Sequence, residues 1–388
     1  MLRRRFLQDA ALLGAASALR CNKSEAPRGQ LLLDAGACPT ASSAAPDILP
    51  FADETGPFEL AEGAGLDGRL YTDLSRLGAD RLLTESGAFY IRTRYPAALD
   101  PSAPWQLTLG GMVEAKVTLE ASEVVALERE QGVHLLECSG NFRSRGFGLI
   151  SAASWHGVPV SELLERVAPA PGAARLLITG SDAHSLPSGN SVRGASWVVS
   201  PEQLASTQSF IATRMNGEPL PLDHGYPLRL VNPGWYGCSC IKWVESIDWV
   251  ADDVASTSQM IEFSARTHQQ GEPALARDYA APVIQQAAMP VRIEQRRSGA
   301  RTCYRVVGIV WGGSEPARRL GISFDGGEHF DVLPLQVTRN GTWSLWEYEW
   351  APLAPGRYDI VCRVEEPSVP MRRLDSGYYA RSVVIDEV

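Results

Sequence analysis

The chain lacks the features that define several common protein classes. None of its 388 residues falls in an apolar run approaching the roughly 18 to 20 residues of a membrane-spanning helix, so we expect no membrane span. Its 36 Lys and Arg residues are outnumbered by 45 Asp and Glu residues. The net charge of −9 argues against a nucleic-acid-binding protein, which must neutralise many phosphates. A hydrophobic share of 45% is typical of a globular chain rather than a disordered or fibrous one.

Cysteine is present, but no two cysteines form a CxxC motif. The seven cysteines are Cys21, Cys38, Cys138, Cys238, Cys240, Cys303 and Cys362. Tetrahedral zinc sites, iron–sulfur clusters and covalently attached haem need closely spaced ligands of this kind, so we expect no such centre and no haem in this chain. Any electrons that the protein handles would then leave through a partner.

The first residues have the form of an export signal. The motif RRxFL begins at Arg3 and ends at Leu7, and an Ala-rich, weakly apolar stretch follows it. This spacing is typical of twin-arginine signals, so we expect a signal over residues 1–25 and a periplasmic location. Such proteins are exported already folded, often with a cofactor bound. Lipidation at Cys21 is disfavoured, because Arg20 stands where a small residue is preferred.

Composition divides the remaining chain into three parts. Residues 26–60 are rich in Ala, Pro, Ser and Gly and predict a linker or leader. Residues 61–280 mix strand and helix patterns without regular alternation, which predicts an α+β domain. From residue 281 to 388, short alternating strands separated by turn residues predict an immunoglobulin-like antiparallel β-sandwich.

Within the α+β domain, individual elements can be predicted. Strands are predicted in FYIRTRYP from Phe89, in WQLTLGGMV from Trp105, in the apolar run 133–137, and in RLLITG over 175–180. Helices are predicted over 118–130 and over 162–167, the second capped by Ser161.

The segment LLECSGNFRSRGFG carries the first sign of chemistry. Cys138 follows an apolar strand pattern, with Arg143 and Arg145 close behind in the sequence. Nearby cations would lower the pKa of the thiol and favour the thiolate, which binds soft metals or attacks electrophiles. Taken alone, the same residue fits a cysteine that simply fills the core.

Several separated motifs, in one collinear order over residues 75–388, give this chain its resemblance to a known family. They are CSGN, WHGVPVSELLERV, ITGSD, NGEPLPLDHGYPLRLVNPGWYG, IKW, SFDGGEHF and WSLWEYEW. Together they resemble the sulfite oxidase family of molybdenum enzymes. The resemblance implies a molybdopterin-binding core followed by the predicted β-sandwich.

The resemblance also implies a site. Cys138 matches the single protein ligand to molybdenum, which is otherwise bound by a pyranopterin. His224, Arg229 and Lys242 match residues that bind the pterin and its phosphate, and Asp182 is a weaker match to a pterin-binding residue. Three further matches concern the substrate pocket, namely Arg92 and Arg143 as oxyanion-binding arginines and Tyr279 as the active-site tyrosine.

Some positions depart from the family pattern. Thr93 and Arg94 stand where animal and plant relatives carry Asn and His, and Gly237-Cys238-Ser239 replaces GAR before the KW pair. A third pocket arginine has no clean match, and Arg372 or Arg373 are the candidates. The pattern assigns no role to Cys238 or Cys240.

The function implied is the oxidation of sulfite to sulfate, with electrons passed to a separate acceptor such as cytochrome c. Two alternatives stay open. One is a related molybdenum enzyme that acts on another sulfur compound or on an S- or N-oxide, and the other is a cofactor-free binding protein with the same fold. The resemblance also implies a homodimer through the sandwich. Trp343, Trp346 and Trp350 are expected to fill the core of the sandwich, and its other strands would supply the dimer contact.

Overall fold

The computed structural model describes residues 45–184, 193–298, 301–313, 315–336, 341–365 and 377–388. The predicted signal, the lipidation candidate Cys21 and the arginine candidates Arg372 and Arg373 lie outside these ranges. Within them, the chain builds two domains from β-sheets, with short helices at the edges of the first domain.

The N-terminal domain begins with strands that alternate with short helices. Its strands are β2 (Arg69–Leu70), β3 (Ile91–Arg92), β4 (Gln106–Gly111), β5 (Val117–Glu120), β6 (Arg129–Glu137), β7 (Ile150–Pro159), β8 (Ala173–Gly180), β9 (Ser196–Val199), β10 (Phe210–Met215), β11 (Glu218–Pro219), β12 (Arg229–Val231) and β13 (Val244–Ala251). Its helices are α1 (Ala121–Val125), α2 (Val160–Leu164), α3 (Pro201–Thr207) and α4 (Ser258–Phe263).

Two sheets of this domain position the site. One has the order β11-β10-β7-β6, with β12 also paired to β10, and the other has the order β5-β4-β13-β8-β9. Pairing is antiparallel except between β4 and β13. The two sheets share one hydrophobic core, whose buried aliphatic side chains include Leu107, Ile150, Ile178 and Ile247.

The C-terminal domain is a sandwich of two sheets, in the described part of the chain. Its strands are β1 (Asp47–Leu49), β14 (Ala287–Ser298), β15 (Arg301–Trp311), β16 (Arg319–Ser323), β17 (Asp331–Pro334), β18 (Ser344–Trp350), β19 (Gly356–Val364) and β20 (Arg381–Ile385). They form the sheets β1-β14-β15-β18 and β17-β16-β19-β20. The predicted α+β domain followed by a β-sandwich is therefore the architecture observed, and strand β1 lies inside the segment interpreted from sequence as a linker.

Trp346 and Trp350 of β18 are buried in the sandwich, as expected. Trp343 precedes the strand, and its indole N–H donates to the Leu82 carbonyl of the N-terminal domain at 3.0 Å. Trp343, Trp346 and Trp350 are each at most 3% exposed. Gly308 faces Trp346 across the β15–β18 pair, and a Cβ at residue 308 would lie 2.0 Å from the indole ring. The absence of a side chain there makes room for the tryptophan.

Three predicted elements differ from the observed ones. The helix predicted over 118–130 is only α1, because residues on both sides of it pair as strands β5 and β6. Ser161 does not cap α2, because the helix begins at Val160, two residues before the predicted start, and Pro159 precedes it. In FYIRTRYP, only Ile91–Arg92 forms a strand, and the backbone leaves it at Thr93 with a φ of 83°.

Candidate active site

One cavity of about 770 Å³, measured with its open mouth, lies where several strands of the N-terminal domain end. Cys138 follows β6, Asp182 follows β8, Arg229 begins β12 and Lys242 precedes β13. Antiparallel pairing of β8 with β13 brings the end of one strand to the start of the other. The topology therefore collects these residues, distant in sequence, around one space.

Six of the eight predicted site residues line this cavity. They are Arg92, Cys138, Asp182, His224, Arg229 and Lys242. Their roles remain predictions, but the structure brings them together as the family pattern requires.

The other two predicted residues lie beside the cavity. Arg143 points to Asp53, with 3.5 Å between Nε and Oδ2, and its side chain is 44% exposed. Tyr279 is buried, its hydroxyl lies 2.5 Å from Thr267 Oγ1, and its ring packs edge-on against Trp197. Both roles stay predictions, and each would require a rearrangement for the side chain to reach the cavity.

Cys138 is a buried free thiol at the centre of the arrangement. Burial raises its pKa, while a hydrogen bond from the Gly140 amide at 3.4 Å and the charges of Arg92 and Arg266 oppose that rise. The expectation that Arg143 and Arg145 would lower this pKa is wrong. Both arginines lie in the turn Arg143–Arg145, and they pair with Asp53 and Glu62 instead.

A cluster of basic side chains lines another part of the cavity. His224 and Arg229 are 3% and 5% exposed, and Arg229 Nη1 donates to the His224 carbonyl at 3.2 Å. The Lys242 ammonium donates to the carbonyls of Thr93 and Asp223.

Electrostatics marks this cluster as a binding site for an anion. Burial, with the neighbouring Arg229, lowers the pKa of Lys242 to about 7. Burial and the charges of Arg229 and Lys242 hold the pKa of His224 well below its ordinary value. The buried Nε of Arg229 has no hydrogen-bond partner among the described residues. A phosphate would relieve this repulsion and accept the remaining donor, so the residues fit the phosphate of a pterin cofactor.

Asp182 and Arg92 occupy the flanks of the cavity. Burial raises the pKa of Asp182, whose Oδ1 accepts a hydrogen bond from the Ala195 amide at 2.6 Å. Arg92 donates to the Leu66 carbonyl and lies 3.6 Å from Asp67, which fixes its guanidinium next to the thiol side of the cavity.

Sequence reasoning missed several residues of the site. Tyr90, Cys240, Gln259 and Glu262 line the cavity, and Arg266 lies beside Gly140. A signal for part of this set was present, because Gln259, Glu262, Phe263 and Arg266 follow the i, i+3, i+4, i+7 spacing of one helical face.

Comparison with known proteins agrees with this geometry. Residues 93–258 match the family model described as oxidoreductase molybdopterin binding domain. Sulfite oxidase of Gallus gallus is 27% identical over 324 residues, which are 76% of this chain and 69% of that protein. Mitochondrial sulfite oxidase of Homo sapiens is 26% identical over 325 residues, and the match covers 57% of that protein. Nitrate reductase [NADPH] of Fusarium oxysporum is 30% identical, over 45% of this chain and 21% of its own.

A solved structure shares the fold. The sulfane dehydrogenase SoxCD from Paracoccus pantotrophus superposes with a TM-score of 0.60 at 18% identity, covering 79% of this chain and 78% of the other.

The matched domain and the relatives support an oxidoreductase with a molybdopterin-binding domain. More specifically, the similarity to sulfite oxidases supports the sulfite oxidase family of molybdopterin enzymes.

Proposed function

We propose that this enzyme is a sulfite dehydrogenase, which oxidises sulfite to sulfate and passes the electrons to an external acceptor such as cytochrome c. The observation that carries the proposal is the shared cavity, in which Arg92 and the Cys138 thiol lie next to an anion-binding cluster. The similarity to animal sulfite oxidases supports the choice of substrate. In the net reaction, sulfite gains one oxygen atom from water and releases two electrons and two protons.

The basic residues of the cavity, together with Asp182 and Cys138, would hold the cofactor. His224, Arg229 and Lys242 would bind its phosphate, Asp182 would bind the pterin, and the Cys138 thiolate would be the protein ligand of the metal. The molybdenum cofactor supplies two-electron redox chemistry and oxygen-atom transfer when bound.

The remaining residues prepare the cavity for an oxyanion. Arg92 offers a planar guanidinium already fixed by the Leu66 carbonyl and Asp67, so little conformational entropy is lost when an anion binds. The Arg92 side chain is only 13% exposed, so an electrostatic contact with it is stronger than one on the surface. Gly140 assists by donating its amide to the Cys138 sulfur, which favours the thiolate.

We further propose that the enzyme works in the periplasm and as a homodimer. The twin-arginine motif that begins at Arg3 supports the location. Two-fold pairing through the sandwich is the commonest closed arrangement for such a domain and follows the family resemblance. None of the helices in the described ranges is long and apolar enough to cross a membrane.

A second candidate is favoured by one feature of the cavity. Glu262 lines it and lies close enough to Arg92 to raise the pKa of that arginine, so a carboxyl group shares the pocket with the arginine. Such a pocket also fits a substrate of lower charge, such as a sulfur compound held by a partner protein or an S- or N-oxide. The structural relative is named a sulfane dehydrogenase, and sulfane is a sulfur compound other than sulfite.

The deciding experiment uses the full chain, matured in a host that makes molybdopterin. Sulfite-dependent reduction of ferricyanide and of cytochrome c is measured with oxygen as a parallel acceptor, after the molybdenum content has been determined. We expect sulfite to reduce both acceptors, and we expect the Cys138→Ser variant to be inactive. Fully molybdenum-loaded protein that does not oxidise sulfite but turns over an S-oxide or another sulfur compound would favour the second candidate.

A further inference from the structure

Helix α4 and the turn that follows it present one face to the cavity. Gln259, Glu262 and Phe263 line the cavity directly, and Arg266 is the next residue on the same face. The Thr267 amide donates to the Phe263 carbonyl at 3.0 Å, so the helical course continues to Arg266. The spacing therefore directs Arg266 toward the cavity mouth rather than away from it.

The Arg266 guanidinium lies next to the loop of the metal-binding cysteine. It sits 5.5 Å from the centre of the Phe263 ring, which supports it from one side. A Cβ at residue 140 would be 3.4 Å from Arg266 Nη1, which places the guanidinium beside the Gly140 backbone. The Gly140 amide donates a hydrogen bond to Cys138 Sγ, so a guanidinium beside Gly140 is also close to the thiol. The positive charge of Arg266 accordingly acts to lower the pKa of Cys138.

Arg266 differs from Arg92, Arg143 and Arg145 because no carboxylate of the described residues binds it. Arg92 pairs with Asp67, Arg143 with Asp53 and Arg145 with Glu62. In the ranges that the structure describes, Arg266 forms no ion pair and its side chain is exposed. Its donors are therefore available for an anion that enters from solvent.

We propose that Arg266 is a substrate-binding residue, which captures the oxyanion at the mouth of the cavity opposite Arg92. The identity of the anion as sulfite rests on the proposed function. Two guanidinium groups on opposite sides of a small oxyanion can each donate two parallel hydrogen bonds. Arg266 thereby supplies the second cation of the pocket, the role for which the family pattern indicated Arg143. Arg266 acts from the solvent side, and Arg92 acts from the buried side.

The test compares Arg266→Gln and Arg266→Lys with the wild type, all loaded with molybdenum. The control is Arg129→Gln, which removes a similarly exposed arginine at the far end of strand β6, paired with Glu162. KM and kcat for sulfite, the dissociation constant of sulfate by calorimetry, and the melting temperature are measured at low and high salt.

We expect Arg266→Gln to raise the sulfite KM and the sulfate dissociation constant about tenfold, because an exposed charge-assisted contact is partly screened by water. We expect kcat, molybdenum content and melting temperature to stay at wild-type values. For Arg266→Lys, the sulfite KM and the sulfate dissociation constant should lie between those of the wild type and Arg266→Gln, since lysine keeps the charge but cannot donate two parallel hydrogen bonds. The difference between wild type and Arg266→Gln should shrink at high salt.

The outcomes separate this proposal from the proposed function. If Arg266→Gln matches Arg129→Gln in KM and sulfate affinity, Arg266 does not bind the substrate, whereas sulfite turnover by the wild type would still support a sulfite dehydrogenase. If the wild type binds sulfate through Arg266 but does not oxidise sulfite, the proposed function fails and the Arg266 site stands. A lowered melting temperature in both Arg266 variants, with an unchanged sulfate affinity, would assign Arg266 a structural role only. A wild type that neither binds sulfate nor oxidises sulfite would overturn both proposals.

Discussion

The carboxylate of Glu137 accepts a hydrogen bond from Trp311 Nε1 at 2.9 Å, and this contact joins the two domains directly behind the candidate active site. Glu137 is the last residue of strand β6, next to Cys138, and it is fully buried. Tyr379 of the sandwich donates a second hydrogen bond to the same carboxylate. The position of the cysteine loop is therefore fixed from the C-terminal domain as well as from its own sheet.

This contact predicts the effect of Glu137→Gln. The amide keeps one acceptor but turns a donor toward Trp311 or Tyr379, which leaves buried groups unsatisfied. We expect a loss of roughly 1–3 kcal/mol in the free energy of unfolding, measured by urea denaturation. The control is Glu347→Gln, whose side chain is 55% exposed and pairs with Arg305, and it should change stability far less. Equal stability of the two variants would mean that the buried carboxylate does not hold the domains together.

The lowered pKa of Lys242 predicts a pH dependence in the cofactor-free protein. With a pKa of about 7 in the folded chain and about 10.4 in the unfolded chain, the unfolded state binds more protons between these values. Stability contributed by this residue therefore rises with pH across that window, by at most about 1.4 kcal/mol per pH unit. The measurement is the difference in unfolding free energy between wild type and Lys242→Met at pH 7, 8 and 9.

In this difference of unfolding free energies, the contributions of the other titrating groups cancel, because both proteins contain them. We expect the unfolding free energy of the wild type to increase relative to that of Lys242→Met as the pH rises. This increase should disappear once cofactor is bound, because a phosphate stabilises the charged lysine. A difference that does not change with pH in the cofactor-free protein would show that burial and the neighbouring Arg229 do not lower the pKa of Lys242.

Arg92 and Arg143 are predicted to differ in their effect on substrate binding. The family pattern gives both the same role, but Arg92 lines the cavity and Arg143 pairs with Asp53 outside it. We expect Arg92→Gln to raise the sulfite KM by the equivalent of roughly 1.5–3 kcal/mol, the cost of losing a hydrogen bond to a charged group. Arg143→Gln should raise it less. A larger effect of Arg143→Gln would mean that the side chain swings into the cavity when substrate binds.

The proposed homodimer predicts the mass of the mature protein in solution. Light scattering at micromolar concentration should give about twice the mass of one chain, whose full sequence is 42.1 kDa. Truncation before about residue 285 should give a monomeric or aggregation-prone core, because it removes the partners of Glu137 and of strand β1. A single-chain mass that persists as concentration rises would contradict dimerisation and leave the site unaffected.

The sequence was most informative where pattern and chemistry are local. The alternating runs of the sandwich and the strands containing Leu107 and Ile178 were predictable because burial on a sheet imposes a period of two. The helix over 118–130 was not, because its helical spacing competes with strand pairing that only the folded sheets provide.

The site shows the same division. Cys138, His224 and Arg229 could be predicted because their motifs are specific and because the family fixes their order. The cations that act on Cys138 could not be identified from sequence neighbours. Arg143 follows the cysteine by five residues but turns outward to Asp53, whereas Arg266 is far away in sequence and packs beside Gly140.

The central claim is that the Cys138 thiolate binds molybdenum in this cavity, and the Cys138→Ser variant tests it. Oxygen is a harder and less donating ligand than thiolate, so we expect the fold and the molybdenum content to be largely retained and oxidative turnover to be lost. X-ray absorption at the molybdenum edge measures the ligand directly. We predict one sulfur neighbour fewer around the metal in Cys138→Ser than in the wild type at equal molybdenum content. The same number of sulfur neighbours in both proteins, with wild-type turnover, would contradict the assignment.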